Sequence, residues 1–106
     1  MIKEPLVFKL EESMCNTLHY LFYMTESYSE IIKDIIENRR CMTANKELLD
    51  YYNEQYLEYN MQYKILQDEA VYSVYDLPSG TRAIYYLDFM KQELVITDLI
   101  QFQREN

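Results

Sequence analysis

Acid–base or metal chemistry needs histidine, cysteine or paired carboxylates at short, regular spacing, and this chain offers few of them. Its one histidine is His19. A two-metal carboxylate site in a helical bundle uses Glu-x-x-His pairs, yet the residue three before His19 is Asn16. Zinc sites need several Cys and His close together, whereas Cys15 and Cys41 stand far apart with no CxxC spacing. At helical spacing His19 shares a face with Tyr23, Glu26 and Glu30. That predicts a solvated side chain rather than a catalytic base, which would need an orienting partner. Ser13, Ser27, Ser29, Ser73 and Ser79 lack a nucleophile-elbow context. Gly80 stands alone where a phosphate-cradling loop needs several glycines. The expectation is a protein with no catalytic residue, no cofactor and no metal.

Recognition chemistry is better represented. Glu47, Asp50, Glu54 and Glu58 recur at steps of three and four, so on a helix they project within a narrow arc. Such a row can imitate the phosphates of a nucleic acid and occupy a basic groove. The plain alternative is a solvated helix face. Tyr51, Leu57 and Met61 lie beside the arc, and these seven residues are the candidate partner contacts. The formal net charge of −8 argues against direct binding to nucleic acid, which requires clustered Lys and Arg. It suits a basic protein partner, and equally it suits nothing more than solubility. The twelve tyrosines could stack on bases only beside a basic groove, and their neighbours here are Glu and Asp.

The elements that must hold these residues follow from periodicity. One Gly and two Pro in 106 residues imply long elements and few sharp turns. Leu18, Leu21, Thr25, Tyr28, Ile32 and Ile35 repeat at three and four, which predicts a first helix over residues 12–40. Met14, Phe22 and Ile36 widen its stripe. Leu49, Tyr52, Tyr56, Tyr59, Tyr63, Leu66 and Ala70 form a tyrosine seam along a second helix, residues 44–70. Leu57, Met61 and Ile65 add a row on its acidic side, to be covered by the carboxy-terminal region or left exposed for a partner. The row Leu21, Tyr28, Ile35, Met42, Leu49, Tyr56, Tyr63, Ala70 keeps a seven-residue period through the junction, so one coiled-coil rod is the alternative. An antiparallel hairpin is preferred because the companion row shifts there.

Leu6, Phe8 and Leu10 alternate as an edge strand would, although Pro5 could also open a helix. Residues 71–103 are rich in Val, Ile, Tyr and Phe. Three strands, Val71–Leu77, Arg82–Phe89 and Leu94–Phe102, are expected there, with a β-turn at Leu77-Pro78-Ser79-Gly80. The fold class is therefore α+β: a long antiparallel helical hairpin followed by an antiparallel β-meander, in a single domain of 106 residues. The alternative is an all-α three-helix bundle with Ala83, Leu87, Met90 and Leu94 aligned.

Two cysteines without a pairing pattern, no membrane-spanning run and a charged amino terminus predict a cytoplasmic chain with free thiols. A Cys15–Cys41 bridge stays open. In size, acidity and tyrosine content the chain resembles small immunity proteins, antitoxins and phage-encoded inhibitors of host defence. That resemblance implies a non-enzymatic inhibitor that binds a basic, nucleic-acid-handling protein. The competing expectation is a structural or assembly subunit, with heptad stripes shared between copies in a homo-oligomer.

Overall fold

The computed structural model describes residues 4–37 and 46–101. Its elements in chain order are β1 (Leu6–Lys9), α1 (Glu12–Glu37), α2 (Lys46–Val74), β2 (Thr81–Asp88) and β3 (Glu93–Gln101). The class is α+β, with two long helices forming a hairpin and a three-stranded antiparallel sheet. Residues 38–45, where the junction, Cys41 and the ends of both expected helices fall, lie outside the described residues, as do Phe102 and Gln103.

By packing, the chain forms two compact units. The first, Leu18–Leu66, is the helical hairpin. Neither helix contains Gly or Pro, so nothing interrupts the i to i−4 ladder. Leu18 and Leu21 are buried on the inner stripe of α1, and the buried Thr25 satisfies its hydroxyl by donating to the Leu21 carbonyl at 2.8 Å. Tyr28 stacks on Tyr59 with ring centroids 5.6 Å apart and also meets Tyr52 at 5.9 Å, while Tyr20 meets Tyr59 edge-on at 6.3 Å and Phe22 meets Tyr63 at 5.8 Å. Tyr20 and Phe22, early in α1, meet Tyr59 and Tyr63, whereas Tyr28, further along, reaches back to Tyr52, so the helices run antiparallel and the single-rod alternative falls. Each such ring pair stabilises by roughly 0.5–1.5 kcal/mol beyond the area it buries.

The second unit gathers the residues up to Thr17 with those from Gln67 onward. Its sheet has the order β1-β3-β2. Leu6 and Phe8 pair with Ile96 and Leu94, which pair in turn with Tyr85 and Leu87. Cross-strand partners point to the same side, so these residues and Ala83 share the inner face. Leu94 and Ile96 there are fully buried, with Cys15, Ala70 and Val71 completing the core and Phe8 meeting Tyr75 at 6.0 Å. The register slips between Ile84 and Tyr85, leaving Thr97 as the extra residue of a bulge in β3, where its hydroxyl donates to the Ile84 carbonyl at 3.2 Å.

Three expectations about this unit need correction. Val71–Leu77 is not a strand, because α2 runs on to Val74. Leu66, Ala70 and Val74 continue the seam at steps of four, and burial of Ala70 and Val71 outweighs the β-branched composition. The Tyr75 amide closes the last turn on the Val71 carbonyl at 2.9 Å, and Pro78 prevents further helix. The third strand of the sheet is instead β1, so the sheet is not a sequential meander. Finally, the turn sits one residue later than expected. The Thr81 amide donates to the Pro78 carbonyl at 3.1 Å, which places Gly80, with φ of 76°, third, as a type II turn requires.

Candidate protein-binding face

The seven residues singled out by spacing all lie on α2, and all are exposed. Glu47, Asp50, Glu54 and Glu58 project from the side opposite the seam. Leu57 is 63 %, Met61 53 % and Ile65 54 % exposed. Large apolar side chains this open, three in one row, are unusual for a face whose only duty is solvation. A helix wet on that whole side would be expected to carry Lys, Glu and Gln there instead.

The geometry gathers part of this set. Glu54, Leu57, Glu58 and Met61, together with Asn60 and Lys64, line a shallow depression of about 540 Å³. Glu47 and Asp50 lie further towards the start of the helix and do not line it. Tyr51 is stacked on its neighbour Tyr52, with centroids 5.5 Å apart and planes 12° from parallel. Its ring is thus held flat beside the seam, although it stays half exposed. The Glu58 carboxylate accepts a hydrogen bond from Gln62 Nε2 at 2.8 Å, which restricts its rotamers. Sequence reasoning missed Asn60 and Lys64. Lys64 lies seven residues after Leu57, so helical spacing carried the signal, but its positive charge set it apart from an acidic arc.

The nucleophiles lie elsewhere. Cys15 is a buried free thiol whose Sγ donates to the Phe89 carbonyl at 3.8 Å. Burial, and then the nearby Asp88 carboxylate, push its pKa up, so it stays protonated and unreactive at neutral pH. Burial, and then Glu26, likewise raise the Tyr63 hydroxyl. His19 is exposed on α1. Among the described residues, no group of three or more His, Cys, Asp or Glu is arranged to hold a metal ion. No described helix is long and apolar enough to cross a membrane. Against known proteins, no family model, no curated protein and no solved structure matches this chain.

Proposed function

We propose that this chain is a non-enzymatic protein-binding inhibitor that uses the outer face of α2 to occupy a basic surface of a nucleic-acid-handling partner. The observation that carries this reading is the open row Leu57, Met61 and Ile65 set among Glu54 and Glu58. The carboxylates would steer a basic partner and fix its register, while the apolar row supplies the contact that excludes water. Charge alone would give a fast but weak encounter. The apolar row alone would not distinguish a basic partner from any other.

The test is affinity capture from the native host with the wild-type chain and with the Glu54→Lys/Glu58→Lys variant. The reading expects a basic, nucleic-acid-binding protein that is released by salt and displaced by added DNA or RNA. It expects retention by the variant to fall by about tenfold or more, since each unfavourable charged contact of this kind is worth on the order of 1 kcal/mol. Leu57→Ala and Met61→Ala should weaken retention without changing its salt dependence. Capture that is equal with the variant and indifferent to salt would sink the electrostatic model.

A further inference from the structure

The two edges of the sheet are unequal. β1 is four residues long, follows Pro5 and ends in Lys9, the devices by which proteins blunt an exposed edge. β2 is the other edge, with eight residues, no Pro, no Lys, and its bulge displaced onto β3. Among the described residues no strand pairs with its outer side. The Ile84 carbonyl turns towards β3 to accept from Thr97. Backbone groups of alternate strand residues point to opposite sides, so those of Ala83, Tyr85 and Leu87 face outwards.

We infer that two copies of this chain pair through this edge, β2 against β2 in antiparallel register centred on Tyr85, giving one continuous six-stranded sheet. The register follows from self-complementarity. With Tyr85 opposite its own counterpart, Ala83 faces Leu87, Ile84 faces Tyr86, and Arg82 faces Asp88 of the second copy. Every outward backbone group then meets a partner, for roughly six hydrogen bonds across the joint. Both charged residues of β2 are matched, twice over by symmetry. A slip by two residues one way sets Ile84 against Asp88. A slip the other way leaves Arg82 against Tyr86 and Asp88 against Gly80. Only the centred register pairs like with like on both faces. Arg82 already interacts within its own chain, and a guanidinium with five donors can hold a further carboxylate.

A second observation agrees. A half-enclosed cavity of about 430 Å³ lies beside β2, lined by Asp68, Val71 and Tyr72 of α2 and by Arg82, Ala83 and Tyr85 of the strand. None of its lining residues comes from β3, so it opens on the outer side of β2. The small Ala83 leaves room there, and the Leu87 side chain of the second copy, opposite Ala83 and on the same face, would enter it. On the other face Ile84 and Tyr86, 44 % and 54 % exposed, would cover each other. This pairing uses the sheet and is independent of the α2 face proposed for the partner.

The test is sedimentation of the full chain at concentrations on the order of 1–100 µM, where an edge contact of this size should dissociate. The wild type should show a concentration-dependent dimer. Arg82→Asp and Asp88→Arg each set like charges opposite one another and should weaken it by about tenfold. An equal mixture of these two variants restores both pairs and should associate more tightly than either alone. Because Asp88 also accepts the Lys91 amide at 3.1 Å, Ile84→Lys at an exposed position serves as a further variant, with circular dichroism confirming each fold. A wild type that stays monomeric throughout would overturn the inference. So would a dimer that none of the variants weakens, or a mixture no tighter than its components.

Discussion

Cys15 shows how a residue type that suggests chemistry is turned to structure by its surroundings. Its raised pKa comes from burial first and from Asp88 second. A group whose folded pKa lies above its unfolded value contributes stability that is complete below the unfolded pKa. That contribution is lost as pH rises, here from about pH 8.5 upward. Tyr63 acts in the same direction at higher pH. The melting temperature should therefore fall between pH 8 and pH 10, and Cys15→Ala should make that fall shallower. Thermal scans across this range would decide it, because parallel curves for the two proteins would remove Cys15 from the account. Gln92 is a different case of local context. With φ of 55° it adopts the left-handed conformation without being glycine, at a cost of about 1–2 kcal/mol. The loop holds it there, since the Gln92 carbonyl accepts the Leu10 amide at 2.8 Å and the Lys91 carbonyl accepts Lys9 Nζ at 2.7 Å.

At the scale of elements, periodicity made the helices legible and composition misled at their ends. Leu18, Leu21 and Thr25 are buried, and Tyr52, Tyr59 and Tyr63 meet aromatic partners across the hairpin, as steps of three and four predict. The β2–β3 hairpin was also legible to within one residue at both ends of β2 and at the start of β3, although its turn lacks the usual Gly or Asn. Val71–Val74 was misread because Val and Tyr favour strands only when burial does not decide, and here the seam decides. The partner of β1 was illegible because pairing carries no local signal. The open row on α2 could be located but not judged, since spacing does not say whether anything covers it. This division has an energetic test. Leu18→Ala removes a fully buried side chain and should cost about 3 kcal/mol, whereas Leu57→Ala should cost less than about 0.5 kcal/mol. Denaturant titration of both variants measures the contrast, and equal losses would mean that the outer face of α2 is part of the core.

For the whole molecule, the pairing of Leu6 with Ile96 sets an order of events. The two are about ninety positions apart, and closing so long a loop is slow compared with zipping a hairpin of neighbouring helices. Pulse-labelled hydrogen exchange during refolding should protect the amides of Tyr52–Tyr63 before those of Leu94–Ile96, and the reverse order would refute this. On the ribosome the delay is longer. β1 emerges first, and at about 5–20 residues per second it waits several seconds for β3 before its backbone has a partner. Throughout that interval Leu6 and Phe8 have no strand to pair with. An antibody or protease that distinguishes paired from unpaired β1 would therefore report whether synthesis had passed β3, making the first strand a timer for the synthesis of the last strand of its sheet.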